Sequence, residues 1–380
     1  MLDLSRRTAF DEDHQLFRDQ VRRFLERELV PHLERWEQQG EIDKGFWRQA
    51  GEAGLLCPNV AEAYGGLGLD FGYNAVIAEE LGYVGSSAGI TLHSDIVAPY
   101  IEAYGSEELK RRWLPRMISG ETPTAIAMTE PAAGSDLQGI KTTAVGEGDD
   151  YVLNGSKTYI TNGQHAELVI VVAKTDPAEG AKGTSLILVE AEREGFARGR
   201  NLDKIGLHGQ DTSELFFQDL RVPRSNLLGA EGMGFAYLMN QLPQERLGIA
   251  IGAQASAQRA FDEAVKFTKE RKAFGRTVFE FQNTRFTLAD LDAKLQVGWA
   301  HLDWALARHM AGKLTAAEAS AAKLWHTELQ WEVCDASLQL HGGAGYMNEY
   351  LIARLWRDAR VTRIFGGTNE IMKEVVARAI

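Results

Sequence analysis

The chain has 380 residues, 44% hydrophobic and 25% charged, ordinary for globular domains and long enough for two or three of them with ample core. A formal net charge of -12 speaks against a broad nucleic-acid-binding surface, while leaving room for a local basic pocket that takes a phosphorylated ligand. Cys57 and Cys334 make neither a disulfide framework nor a metal-ligand pattern, and read as small buried hydrophobes in a reducing cytoplasm. Arg6-Arg7 is followed by no apolar stretch, and Asp3, Asp11, Glu12 and Asp13 argue against an organellar transit peptide, so a cytoplasmic location is expected. No run approaches ~18 continuous apolar residues, so no membrane-spanning helix is expected.

From residue 10 to about 120 the pattern is helical. Phe17, Val21, Phe24, Leu25 and Leu29 recur at three and four residues with charges between them, and Pro31 should bend or break this first helix. Further helical stretches fall near 45–56, 71–83, 94–104 and 107–118. The cluster Tyr64-Gly65-Gly66-Leu67-Gly68 lacks the strand-then-helix setting of a dinucleotide fingerprint and reads as turn chemistry. Around Thr124 the period changes. Tyr151-Val152-Leu153 and Thr158-Tyr159-Ile160-Thr161 flank Asn154-Gly155, the signature of a hairpin turn. Short apolar runs at 168–173 and 185–189 follow, and Leu215-Phe216-Phe217 alternates onward to Val222. After Gly229 the helical period returns over 259–271, 288–310, 316–340 and 370–380, as expected of a bundle. The expected fold class is mainly α with a β domain: an N-terminal helical domain (1–123), a middle β domain (124–229) and a C-terminal four-helix-type bundle (230–380).

Three segments carry candidate chemistry. Leu242-Pro243-Gln244-Glu245-Arg246 opens a long helical stretch. A Glu beside an Arg on a helix is ordinarily a solvated ion pair. Here Gly248, Gly252 and Ala253 are small enough for close approach of another group, and Pro243 favours a helix start or kink. Met128-Thr129-Glu130-Pro131-Ala132-Ala133-Gly134-Ser135-Asp136 reads as a loop whose Gly134-Ser135 end offers donors to a phosphate or ring edge. Ile364-Phe365-Gly366-Gly367-Thr368-Asn369-Glu370 reads as a helix-to-helix turn with Thr368 as N-cap. Together these segments resemble the acyl-CoA dehydrogenase family of flavoenzymes, and the resemblance covers essentially the whole chain. Most members carry the catalytic glutamate where Gly366 stands; the long-chain and isovaleryl branches place it on the helix of Glu245. The pairing of Glu245 with glycine at 366 brings the chain nearest the long-chain branch, with a β-barrel as its middle domain.

The resemblance implies FAD-dependent α,β-dehydrogenation of an acyl-CoA thioester to the trans-2-enoyl-CoA, in fatty-acid β-oxidation or related acyl catabolism. The chain would act on medium, long or branched acyl groups. Glu245 would remove the α-proton from the face opposite the flavin while the β-hydride leaves to N5. The backbone N–H of Gly366, with a flavin ribityl hydroxyl, would donate to the thioester carbonyl as enolate charge develops. Burial against flavin and thioester should raise the Glu245 pKa. FAD contacts would come from Ile126, Ala127, Met128, Thr129, Gly134 and Ser135, from Tyr159, Ile160 and Thr161, and from Thr368, Asn369 and Glu370. Arg271, Phe274 and Gln282 would reach the FAD of a neighbouring subunit, and Gln339, Leu340, His341, Gly342 and Gly343 its adenine end. His341 has no paired nucleophile or ligand in the sequence and is not read as catalytic.

Substrate contacts would come from Ser135, Pro243, Gln244 and Arg246 along the pantetheine, Ala181 and Lys182 at the nucleotide end, and Gly366 and Gly367 along the thioester. Ala236 stands where the long-chain pattern has tyrosine, which leaves that contact open. Implied partners are an electron-transfer flavoprotein as acceptor and further copies of the chain, in a homotetramer built from dimers. A branched-chain dehydrogenase of isovaleryl or citronellyl type is the nearest alternative. An oxygen-using oxidase or N-hydroxylating monooxygenase on the same fold is more distant, since the intact 242–246 motif counts against it. A flavin-binding scaffold without turnover would need Glu245 to point away from the ligand.

Overall fold

Asp11 starts the first helix by accepting from the backbone N–H of His14, whose ring reaches back to the cap. In the computed structural model, which describes residues 7–86 and 88–380, this helix is α1 (Glu12–Glu28). It gives way at Pro31 to a 3-10 turn and then α2 (Leu33–Gln39), as the proline predicts. α3 (Lys44–Glu52), α4 (Phe71–Val84), α5 (Ala98–Tyr104) and α6 (Glu107–Ile118) complete the first helical region, with a π-helical turn over Leu92–Val97 leading into α5. The Gly65–Gly68 region is a loop beside a short 3-10 turn. α4 is buried along most of its length; its carboxylates Glu79 and Glu80 are neutralised by Arg7, Arg18 and Arg22 reaching across from the N-terminal segment.

The middle region is one seven-stranded sheet: β1 (Thr124–Ala127), β2 (Thr143–Glu147), β3 (Asp150–Thr161), β4 (Leu168–Lys174), β5 (Thr184–Glu190), β6 (Phe196–Asn201) and β7 (Thr212–Pro223). Strand order is β1-β4-β2-β3-β7-β6, with β5 also paired to β4. β4 is buried on both faces, and its period of two sorts them. Leu168, Ile170 and Val172 pack with Ile101 and Leu114 of the helices, while Val169, Val171 and Ala173 pack with Leu215 and Phe217 of the sheet.

Asn154-Gly155 is not the hairpin turn that its sequence signals. β2 and β3 turn instead at Gly148-Asp149, with Glu147 opposite Asp150. Asn154-Gly155 forms a bulge inside β3, where the register against β7 shifts between Leu153 and Gly155. The Asn154 amide bonds Asp219 on β7 through both its oxygen and its nitrogen. A side chain on Gly155 would strike Thr142, its Cβ falling 2.4 Å from Oγ1. The dipeptide thus serves a strand irregularity rather than a turn.

The C-terminal region holds α7 (Gly234–Glu270), a small hairpin of β8 (Lys272–Ala273) and β9 (Arg276–Thr277), α8 (Gln282–Met310), α9 (Ala316–Leu340), α10 (Leu351–Thr362) and α11 (Asn369–Ala377). α10 escapes the sequence reading, although Ile352, Leu355 and Ala359 give it a buried stripe. α7 also differs from expectation. It does not start at Pro243 but runs through it, because Gly234 and Leu238 already pack one turn after another ahead of the proline. This 37-residue helix belongs to the bundle at its C-terminal end and forms a wall against α4 and α5 nearer its start.

Candidate active site

Glu245 lies inside α7 with only 7% of its surface exposed, so it is not a solvated ion-pair residue. It lines a cavity of ≈ 190 Å³ between α7, α4, the π-helical turn and α10. Gly248, Ile249, Gly252, Ala253 and Ser256 follow it on the same face of α7, at helical spacing. A Cβ placed on Gly248 or Gly252 would meet no protein atom within 4 Å, so both glycines keep the cavity open rather than serving a packing contact. Opposite, Gly82 of α4 sits so close that its Cβ would fall 2.6 Å from the Gly252 carbonyl.

Burial pushes the Glu245 carboxyl up to about 7, against the hydrogen bond from Tyr100 and the nearby Arg246 charge, which pull it down. The sequence reading assigned such a rise to flavin and thioester; the protein's own burial already supplies it. The Tyr100 hydroxyl donates to Glu245 Oε1 at 2.9 Å. Asp95, on the π-helical turn, is a second carboxyl in the same cavity, also pushed up to about 7 by burial, with Asn74 donating to it. Gln244 ties this turn to α7 by donating to the Asp95 carbonyl, and its Oε1 accepts from His309 Nε2 on the other side.

The Gly366-Gly367 turn faces α7 at Ile249. Both glycines have left-handed φ, 64° and 95°, and a Cβ on Gly366 would fall 2.3 Å from Ile249 Cδ1. Two buried cations clamp the turn's carbonyls. Arg246 Nε approaches the Gly366 oxygen at 3.5 Å and its Nη1 donates to Ser320, while Lys323 Nζ donates to the Gly367 oxygen at 2.8 Å and to Asn369 at 2.9 Å. Burial lowers Lys323 to about 8. Thr368 caps α11, and Asn369 directs its side chain into α9, onto Lys323, Thr327 and Glu328, while Glu370 is exposed. Asn369 therefore holds the turn to α9 rather than presenting its amide outward.

The structure also brings together the two halves of the expected flavin face. Ile126 and Ala127 end β1, and Met128 and Thr129 run on against β3: the Thr158 N–H donates to the Thr129 carbonyl, and buried Lys157 donates to the Met128 carbonyl and to Glu130. Tyr159, 69% exposed, takes a left-handed φ of 59° that turns it outward between Ile160, which is buried, and the rest of the strand ending at Thr161. Gly134 and Ser135 are exposed, with no atom above Gly134. An outward aromatic face, hydroxyls at Thr129, Ser135 and Thr161, and an uncovered glycine fit a flavin ring and its polar edge.

Arg271, Phe274 and Gln282 lie together around the β8–β9 hairpin and are exposed; Phe274, with φ 51°, is 95% exposed. Gln339, Gly342 and Gly343 are exposed and Leu340 half-buried at the end of α9. His341 is buried, bonds the Ser337 carbonyl and stacks on Phe267, one turn before Arg271, so it joins the α9 end to the hairpin. Ala181 and Lys182 sit on a 3-10 stretch whose Lys182 carbonyl meets Gly232, close to the start of α7 and Ala236. Pro243 and Arg246 share α7 with Glu245.

Tyr100, Asp95 and Lys323 are the site residues the sequence reading missed. Tyr100 lies 145 residues from its partner, and no local pattern connects them; a lysine in the Ala-rich stretch Ala321-Ala322-Lys323 was the one legible signal. Among the described residues no helix is long and apolar enough to cross a membrane.

Family models for the acyl-CoA dehydrogenase N-terminal, middle and C-terminal domains match residues 11–121, 125–220 and 232–380. The chain is 49% identical to the long-chain specific mitochondrial acyl-CoA dehydrogenase of Sus scrofa, over 100% of this chain and 89% of that protein. A crystal structure of an acyl-CoA dehydrogenase from Geobacillus kaustophilus superposes with a TM-score of 0.97 at 53% identity, covering 98% of this chain and 99% of the other. A glutaryl-CoA dehydrogenase from Mycobacterium smegmatis in complex with FADH2 superposes with a TM-score of 0.93 at 27% identity, covering 99% and 96%.

Proposed function

Because the chain belongs to the acyl-CoA dehydrogenase family, an oxidoreductase family acting in fatty acid oxidation, we propose that Glu245 is its base and that long or branched acyl chains fill the cavity beyond it. The observation that carries this reading is a buried carboxyl, raised to about 7, at one end of a glycine-opened cavity and near the Gly366 turn. The family is FAD-dependent, and FAD when bound supplies the acceptor for the β-hydride. Glu245 takes the α-proton, and a carboxyl near 7 is well matched to that task at neutral pH. The Gly366 N–H donates to the thioester oxygen; Arg246 and Lys323, bonded to the carbonyls of Gly366 and Gly367, fix the turn that presents that donor. The open face from Glu245 to Ser256 spans about 16 Å along α7, which favours long chains over short ones.

Met128, Thr129, Ser135, Tyr159 and Thr161 form the flavin face of this reading. Arg271, Phe274, Gln282 and the 339–343 segment meet the FAD of a second copy, in a homotetramer built from dimers. A 95% exposed phenylalanine on the hairpin, and exposed Tyr346 and Met347 after the end of α9, support a covered surface there. Arg246, Gln244 and Pro243 line the pantetheine path, Ala181, Lys182 and Ala236 its nucleotide end, and electrons pass to an electron-transfer flavoprotein in the cytoplasm. The units 1–123, 124–229 and 230–380 serve as its working domains.

The test is anaerobic flavin bleaching with acyl-CoAs from short to long and branched. Rapid bleaching by long or branched members supports the reading. Bleaching restricted to short chains, or turnover that needs oxygen, overturns it.

A further inference from the structure

Glu245 does not stand alone in its cavity wall. Tyr100 of α5 is fully buried, and its hydroxyl, which in such a place needs a partner, donates to Glu245 Oε1 at 2.9 Å. Oε2 makes no hydrogen bond among the described residues, and Glu245 lines the cavity. The two side chains are held by the same helix pair, since Tyr104, one turn beyond Tyr100, stacks on Tyr237 of α7 with ring centroids 3.9 Å apart. We propose that Tyr100 is a positioning residue for the base: its phenol holds the Glu245 carboxylate in one orientation and favours its ionised form.

The proposal rests on Glu245 being the base. A phenol O–H donates more strongly to a carboxylate than to a neutral acid, so it opposes the burial that would keep Glu245 protonated. It is the largest opposing influence, ahead of Arg246 on the same helix. The other groups facing this wall are few. Asp95 on the π-helical turn shares the cavity and, when ionised, pushes Glu245 the opposite way. α4 contributes Ala78 and Leu81, and α10 contributes Leu355 and Asp358. His309 of α8 bonds Gln244, and Lys323 of α9 bonds Gly367 and Asn369.

The experiment uses FAD-loaded protein with Tyr100→Phe, and separately with 3-fluorotyrosine at position 100, a more acidic phenol of nearly the same size. The Glu245 carboxylic-acid infrared band, isolated by difference from Glu245→Gln, is titrated with pH. The rate of anaerobic bleaching by palmitoyl-CoA is followed in parallel. Tyr100→Phe is expected to move the infrared midpoint and the rising limb of the rate to higher pH by about one unit. The rate at neutral pH falls about fivefold and recovers in alkali, with KM little changed. Fluorotyrosine moves both to lower pH, and decides alone should the phenylalanine protein lose FAD. A midpoint that stays in place, or moves the same way with both replacements, overturns the proposal. Failure of the base reading is separate: Glu245→Gln would then still bleach, while the infrared midpoint continues to report on Tyr100.

Discussion

The wall around Glu245 and the edge around Phe274 are built on opposite principles. At the first, the buried carboxyls and the glycine turn each find a partner within the chain: Tyr100 bonds Glu245, Asn74 bonds Asp95, and Lys323 bonds the Gly367 carbonyl. At the second, Arg271, Phe274, Gln282, Gln339 and Gly343 stand exposed, with aromatic surface open to water. The contrast teaches that the geometry proposed for proton transfer is pre-organised within one chain, whereas the surface proposed for cofactor retention is left open by it.

Replacing the proposed base is the strongest way to break this contrast. Glu245→Gln is expected to keep FAD yet slow flavin reduction by about 10³-fold or more, read by stopped-flow bleaching. Asp95→Asn, which removes a second cavity carboxyl, is expected to cost only about tenfold. A reversed order would make Asp95 the base. At the open edge, Phe274→Ser should weaken FAD retention and assembly by about 10- to 100-fold, seen by gel filtration and flavin release, while the rate per bound flavin changes little. A loss of rate with assembly intact would place Phe274 in the chemistry instead.

Gly252→Leu probes the cavity itself. Because no atom lies within 4 Å of the new Cβ, the protein should fold, and kcat/KM for a C16 substrate should fall roughly tenfold or more relative to a C6 one. The smallest effect is on stability. Burial raises Glu245 and Asp95 to about 7 and Asp358 to about 6, so all three favour the folded state when protonated. Their contribution is full below the ordinary carboxylate range and fades as pH climbs through 6–7. Glu245→Gln should therefore flatten the decline of Tm over that window.

The three-part order and the helical periods were legible because they rest on patterns local to each segment. The glutamate was legible through its motif and the glycine at 366, whose left-handed φ and closeness to Ile249 give that glycine a steric reason. Long-range partnerships were not. Tyr100 and Glu245 are joined only by the packing of α5 on α7, and nothing in the local spacing of either announces it. Local signals also misled where tertiary contacts won. Asn154-Gly155 was drawn into a bulge by Asp219, and Pro243 was absorbed into a helix whose packing begins ahead of it. A glutamate placed at position 366 of this chain meets a physical objection from the same geometry: it must adopt φ near 64° and displace Ile249.

Cys57 and Cys334 are both without exposed surface, and burial pushes the Cys57 thiol up to about 12 and the Cys334 thiol higher still. Thiols so shielded and so reluctant to ionise will not compete for maleimide dyes. A single cysteine introduced at Tyr346, 82% exposed on the open edge, can thus carry a fluorophore in an otherwise native background. Energy transfer between labelled copies would then follow assembly in real time, without first stripping the chain of its own sulfur.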